Sequence, residues 1–314
     1  MTFWSGKKVL VTGAGGFAGS GICRSLHGKG AKITAMVTNK ERSYNLRGID
    51  ATVVAGDITD EKRMSKLMEG VDVVLHSAAK IQVEVARKFP RETLETNIFG
   101  TFNVAQAAKS AGVERMVHIS TCHVYGNQPE KNLPLKETAE PMPHDIYAVS
   151  KVSSELVLRP FMESGMDIVI TRAFNHFGPG QTGDLLVPKT ICQLLRGEVP
   201  KLGNPTPTRD YTYVSDISDG YVMCAEKGKS GSTYHLSSGK ETSIGEMYEI
   251  IAESCGKSGV EAVWSDFRKN DMSRSVGDSS KARKDVGWKP KVSLKDGMRM
   301  TVDWWRKNPS IWKK

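Results

Sequence analysis

The sequence predicts an α/β fold built on a doubly wound parallel sheet, and three observations carry that expectation. Short apolar runs alternate with helix-length stretches from Lys7 onward. A glycine-rich turn sits at the first strand–helix junction. After about Phe174 the texture changes to loops rich in Gly, Pro and Thr (GPGQTG, GNPTPTRD). The change divides the chain into a larger first domain, residues 1–173, and a smaller lobe, residues 174–314, some segments of which return to the first.

The elements follow in order. KKVLVTG reads as a buried strand, followed by a glycine turn and a helix from about Ala18 to His27. AKITAMVT is a second strand, ATVVAGD a third, EKRMSKLMEG a helix and VDVVLHSAA a fourth strand. A helix around Thr93 to Ala111 precedes the strand RMVHIST, and DIVITRA follows the next helix. In such sheets the connections are right-handed and ligands collect at the carboxyl ends of the strands.

Bulk properties narrow the function. With 314 residues, 39% hydrophobic and 25% charged, the chain has ample material for a core, and its composition is that of an ordinary soluble protein. No run approaches the roughly 20 apolar residues of a membrane span. The amino terminus lacks the charged and apolar regions of a signal peptide, so the expected location is the cytoplasm. The five cysteines are scattered and form no CxxC pair, which argues against both a disulfide framework and a metal site. The net charge of +9 is spread among acids, with only a modest carboxy-terminal excess. That pattern suits a small polyanionic ligand and argues against nucleic acid.

Three constellations carry chemistry. Gly13, Gly16 and Gly19 directly follow the first strand and open a helix. Glycines there permit a tight turn and close approach to a pyrophosphate, which the helix amino terminus then binds. Asp57, after the third strand, is placed to meet an adenine edge; a plain turn residue is the alternative. Tyr147 and Lys151 stand four apart on a helix and share a face. A neighbouring ammonium and a positive nicotinamide would bring the tyrosine hydroxyl into range for proton transfer. Thr121, at the end of RMVHIST, offers a hydroxyl to the same substrate oxygen, with Ser120 a structural neighbour.

In this order and spacing the motifs resemble the extended short-chain dehydrogenase/reductases, in particular the NAD(P)-dependent nucleotide-sugar epimerase/dehydratase family. The resemblance includes HSAA (76–79), NIFGTFN (97–103), VYG (124–126), FNHFGPGQ (174–181), TRDYTYVSD (208–216) and SVGDSSKARKDVGWKP (275–290), and so covers nearly the whole chain. It implies a Rossmann-like first domain and a catalytic set of Thr121, Tyr147 and Lys151. It implies a dinucleotide site of Gly13, Gly16, Phe17, Gly19, Thr38, Asp57, Ile58, Ala78, Ala79 and Asn97, with Tyr147 and Lys151. It also implies that Asn175, His176, Val187, Arg209 and Arg274, with Thr121 and His123, hold a nucleoside-diphosphate sugar. A guanidinium fork matches diphosphate oxygens, which suits both arginines. A homodimer built from two helices of the first domain is implied by resemblance alone.

Two departures bear on the reaction. NAD-specific members usually carry an acid at the end of the second strand, where this chain has Lys40 and Arg42; these lean towards NADP, through its 2′-phosphate. Members that eliminate water across C5 and C6 commonly carry carboxylates where this chain has Cys122 and His123. His123 can act as an acid or base near neutrality, and Cys122 can if its pKa is depressed; otherwise the first packs against the sugar and the second in the core. A 4-epimerase is the first expectation, from the carboxy-terminal resemblance. The alternatives are an NADPH-dependent 4-keto-6-deoxy reductase, suggested by FNHFGPGQ, a dehydratase using Cys122 and His123, and a non-catalytic cofactor sensor or scaffold.

Overall fold

The computed structural model describes residues 2–181, 184–266 and 272–312, with the side chain of Arg42 outside the description. Its centre is a sheet of seven strands, all parallel: β1 (Lys8–Thr12), β2 (Lys32–Val37), β3 (Thr52–Ala55), β4 (Val73–His76), β5 (Arg115–Thr121), β6 (Ile168–Ala173) and a late strand, Thr233–Leu236. The spatial order runs from the late strand through β6, β5, β4, β1 and β2 to β3. The winding therefore reverses between β1 and β4, where ligands of doubly wound sheets bind. β4 and β6 are buried along their whole length, as strands covered on both faces must be.

Helices cover both faces. α1 (Phe17–Leu26) packs on one side, against a later helix, Val214–Lys227. α2 (Glu61–Met68), α3 (Val83–Lys88), α4 (Pro90–Leu94), α5 (Gly100–Ser110) and α6 (Ile146–Glu163) follow in order, with α2, α5 and α6 packed in sequence. The helix expected around Thr93 to Ala111 is interrupted by a π-turn at Glu95–Phe99, which joins α4 to α5 and carries Asn97. Such bulges often occur at functional sites.

The carboxy-terminal half builds a second, smaller sheet from β7 (Asn175–Phe177), β9 (Thr208–Tyr213), β11 (Glu241–Ser243) and β13 (Arg274–Ser275), with β9 in the middle. Two short strands, β8 (Lys201–Leu202) and β12 (Val263–Trp264), pair apart from it; the late strand of the large sheet is β10. Helix α7 (Leu186–Leu195), α9 (Ile244–Cys255) and α11 (Leu294–Lys307) close a separate apolar core over this sheet, which includes Phe177, Tyr213 and Trp305. The segments α8 (Val214–Lys227), β10 and α10 (Ser280–Val286) pack on the large sheet instead. Among the described residues no helix is long and apolar enough to cross a membrane.

Candidate active site

The glycine turn leaves β1 at Thr12. Gly13 has φ +65°, and a Cβ there would lie 2.7 Å from the backbone of Ala78. Only glycine combines that conformation with that proximity. A Cβ on Gly19 would lie 2.8 Å from Ala14 Cα and closer still to the Gly13 carbonyl, so α1 rides directly on the turn. Gly16 caps α1 without a side-chain hydrogen bond, and the first turn of the helix carries no acid. The first N–H groups of α1, starting at Phe17, are thus open and electropositive at the point where the sheet reverses. These features fit a dinucleotide pyrophosphate.

Around the turn, Ala78 and Ala79 are half-buried in the loop after β4, and the Ala78 amide donates to the Thr12 hydroxyl at 3.2 Å. Asp57 is exposed, and its Oδ1 accepts from the Thr59 amide and hydroxyl at 2.9 and 2.8 Å, which makes it a turn residue with Oδ2 to spare. The Ile58 side chain is buried against Gly100, so it belongs to the core and offers a ligand only backbone. Thr38 and Lys40 are exposed just past β2. Asn97 departs from a direct cofactor contact. Its Nδ2 donates to the Lys80 carbonyl and to Ser150 Oγ, both at 2.9 Å, and its Oδ1 accepts from the Lys80 amide at 2.8 Å. With both N–H groups engaged inside the protein, Asn97 ties the β4 loop to α6.

Helix α6 begins at Asp145, whose side chain accepts from the Ala148 amide at 2.7 Å, so the next residues start in helical register. Tyr147 and Lys151 are both buried on its inner face. The Thr121 hydroxyl accepts from the His123 amide at 3.2 Å. Burial raises the Tyr147 phenol above its ordinary range, and the nearby Thr121 hydroxyl only partly offsets this. The Lys151 ammonium donates to the Ile119 carbonyl of β5 at 2.9 Å, with His118 Nε2 at 3.3 Å. Burial lowers Lys151 to about 8, and Glu155 one turn on counters this. Glu155 is held by Arg172 Nε at 3.0 Å and by the Ser120 hydroxyl, so Ser120 is structural.

Behind Lys151 two buried histidines stand 5.4 Å apart, His118 and His76. Burial and then the Lys151 charge push His76 down to about 3. The Thr101 hydroxyl donates to the Asn97 carbonyl at 2.7 Å and so accepts from His76 Nε2 at 3.0 Å; Thr12 then donates to Nδ1 at 2.7 Å. His76 is a neutral spacer.

The second sheet brings the remaining residues to the same end. Asn175 Oδ1 is out of solvent and accepts no hydrogen bond from the described residues, a state that suits a ligand donor. Arg209 is buried, and its charge acts on the Cys122 thiol. Arg274 is less available than expected. Glu241 grips it through Nε at 3.0 Å and Nη2 at 2.5 Å, and Glu130 approaches at 3.2 Å. The Val187 side chain lies in the second core, which leaves only its backbone, near the start of α7, for a ligand. His176 lies flat on Phe17, with ring centroids 5.3 Å apart.

At the end of β5, His123 presents its ring edge-on to Tyr147, 5.7 Å between centroids. Of the two readings of Cys122, acid–base thiol or core residue, its surroundings favour the core. Burial pushes the thiol up to about 12, so it stays protonated and packs with Val124, Tyr125, Leu135 and Phe174. His118, Glu241 and Glu130 escaped the reading of the sequence. A histidine inside a buried strand and two glutamates remote from their arginine carry no local signal; only the fold brings them there.

The sequence pattern of the GDP-mannose 4,6 dehydratase family matches residues 10–301. The chain belongs to the nucleotide-sugar epimerase/dehydratase family of extended short-chain dehydrogenase/reductases. It is an enzyme. Among members of this epimerase/dehydratase family, a dTDP-glucose 4,6-dehydratase of Actinoplanes sp. is 33% identical over 97% of this chain and 99% of its own length. The crystal structure of the dTDP-glucose 4,6-dehydratase from Streptomyces venezuelae, with NAD bound, superposes with a TM-score of 0.91 at 30% identity, covering 98% of this chain and 99% of that one. The UDP-glucose 4-epimerase of Thermotoga maritima, with UDP-glucose, gives 0.90 at 28% identity, covering 96% and 99%. Dehydratases and epimerases of the family thus share this fold almost end to end.

Proposed function

We propose that the protein oxidises and re-reduces C4 of a nucleoside-diphosphate hexose, as a 4-epimerase that keeps its dinucleotide through the cycle. One observation carries the choice: the two positions after Thr121 hold a protonated thiol and an imidazole, with no carboxylate to remove a proton from C5. A bound nicotinamide supplies the hydride acceptor and a positive charge. Burial alone keeps the Tyr147 phenol protonated, so the positive charge of a bound dinucleotide beside it would be needed to ionise it; as the phenolate Tyr147 takes the C4 hydroxyl proton, and Thr121 steadies that oxygen. Lys151 holds the nicotinamide ribose with the donor it does not give to β5. The glycine turn and the start of α1 hold the pyrophosphate, Arg209 and Arg274 the sugar diphosphate, and Asn175 Oδ1 accepts from a sugar hydroxyl.

A dehydratase is the second reading. The edge-on ring of His123 beside Tyr147 favours it, since that imidazole can serve as acid and base at C5 and C6. Exposed Lys40 supports NADP as the dinucleotide. Incubation with UDP- and dTDP-hexoses, followed by chromatography and by the absorbance of reduced nicotinamide, tests the proposal. Interconversion of a C4 pair without net cofactor use is expected. A 4-keto-6-deoxy product would install the dehydratase. Stoichiometric NADPH oxidation on a 4-keto sugar would install a reductase.

The homodimer rests on a surface of the first domain. Phe99 and Phe102 on one side, and Val149 and Leu156 on α6, are exposed at 62%, 41%, 37% and 46%. Phe102 touches Phe161 of α6 at 5.6 Å between ring centroids, and α5 packs along α6. A second copy of the same face is the occupant proposed.

A further inference from the structure

We infer that His176 is a positioning residue which fastens the substrate lobe onto the dinucleotide turn and so sets how slowly a bound dinucleotide leaves. The inference rests on the nicotinamide reading above and adds to it a residue governing retention.

The fastening begins with strand alternation. β7 pairs in parallel with β9, His176 opposite Thr212 and Phe177 opposite Tyr213. Phe177 turns into the second core, its ring 5.7 Å from that of Tyr213. Successive side chains on a strand point to opposite faces, so His176 is delivered to the other side, against α1. There it meets Phe17, the first residue of α1, with the two planes only 6° apart. The imidazole is held from behind as well. Its Nδ1 donates to the Phe174 carbonyl at 3.1 Å, which fixes both the tautomer and the ring's rotation. The Gln181 amide donates to the His176 carbonyl at 2.9 Å and steadies the backbone beneath the ring.

A second bridge crosses on the other flank of the turn. Asn45 Nδ2 donates to the Gly15 carbonyl at 3.3 Å, and the Asn45 side chain lies against Gly180, where a Cβ would come within 2.8 Å of Oδ1. Residues 15–17, which would cradle the pyrophosphate, are therefore touched from outside at both ends by the segment 176–180 or its partner Asn45. Release of a dinucleotide held by this turn has to disturb those contacts. Of the two, the flat ring pair is the larger, and removing a stacked aromatic partner is worth roughly three- to tenfold.

The test uses the purified full-length chain loaded with NADH or NADPH. Rapid mixing with excess oxidised dinucleotide reads the release rate by nicotinamide fluorescence, and thermal unfolding is followed in parallel. His176→Ala is expected to release about three- to tenfold faster. His176→Phe, which keeps a flat ring on Phe17, is expected to stay within about twofold of the parent. Phe17→Ala is expected to match His176→Ala, and the double variant to be no faster than either single one. An unchanged rate in His176→Ala, equal acceleration in His176→Phe, or additive effects in the double variant would each overturn the inference. Were one variant to misfold, the comparison of His176→Phe with the parent and of Phe17→Ala with Phe17→Leu still decides it. Failure of the parent to bind either dinucleotide would sink the nicotinamide reading itself, an outcome distinct from binding with unaltered release.

Discussion

The ammonium of Lys151 stands 3.3 Å from Nε2 of His118, a buried imidazole that its surroundings keep neutral. The closest side-chain nitrogen behind the lysine is thus a dipole and no counter-ion, and burial holds the folded-state pKa near 8 against an ordinary 10.5. Between those values the unfolded chain binds a proton that the folded chain does not. Stability contributed by this lysine should therefore be flat below about pH 8, rise towards pH 10.5, and be fully present above it. Lys151→Met lacks the effect. Urea unfolding of both proteins at pH 7 and pH 10 should show the parent gaining on the variant by on the order of 2 kcal/mol. Parallel behaviour of the two would mean that Lys151 is not desolvated.

Tyr147→Phe removes the proposed proton carrier and leaves the ring in its pocket. Turnover should fall by about 10²–10⁴-fold while dinucleotide binding and melting temperature hold. Activity above about a tenth of the parent's would assign the proton to another group.

Arg274 already has Glu241 and Glu130 on its guanidinium, and a diphosphate gains less from a charge that must first give up a carboxylate. Arg274→Ala is therefore expected to raise KM for the sugar nucleotide only a few-fold, less than the roughly tenfold that loss of an unencumbered charge-assisted contact brings. A rise of about tenfold or more in steady-state kinetics would show that Glu241 yields freely, and an unchanged KM would remove Arg274 from the site.

Gly19→Ala drives a methyl group into Ala14 and the Gly13 carbonyl, both of them backbone. Overpacking of this kind costs about 1–3 kcal/mol, and here it also lifts α1 from the turn. Lower melting temperature together with lost dinucleotide binding is the expected pair of results. Retention of binding would mean that the turn is not the pyrophosphate site.

Phe99→Glu with Phe102→Glu places charge in the proposed dimer face without touching the sheet. Sedimentation should show the parent as a dimer and the double variant as a monomer. A parent that sediments as a monomer would refute the interface.

How far the sequence could be read follows from how local each signal is. β1, the turn and α1 announce themselves, because apolar run, glycines and helix are contiguous and each has its own backbone reason. Tyr147 and Lys151 are legible as a pair for the same reason, four apart on one helix. The direction of the lysine is not legible, since it depends on Ile119 and His118, which lie on a strand more than thirty residues earlier. Asn97 reads as a ligand contact until the fold shows Lys80 and Ser150 closing on its amide. The pairing of Arg274 with Glu241 is a product of β9 standing between β11 and β13, a register that no local pattern encodes.

The late arrival of β10 has a consequence for how the chain is made. Until residues 233–236 have left the ribosome, the hydrogen-bonding groups of β6 on that side face nothing, although β6 is buried along its whole length in the finished sheet. An open strand edge of that kind is a template for pairing with another nascent chain. A fragment ending at Ala173, which contains the glycine turn, the tyrosine and the lysine, would keep that edge permanently. It should aggregate during translation instead of accumulating as a small dinucleotide-binding protein.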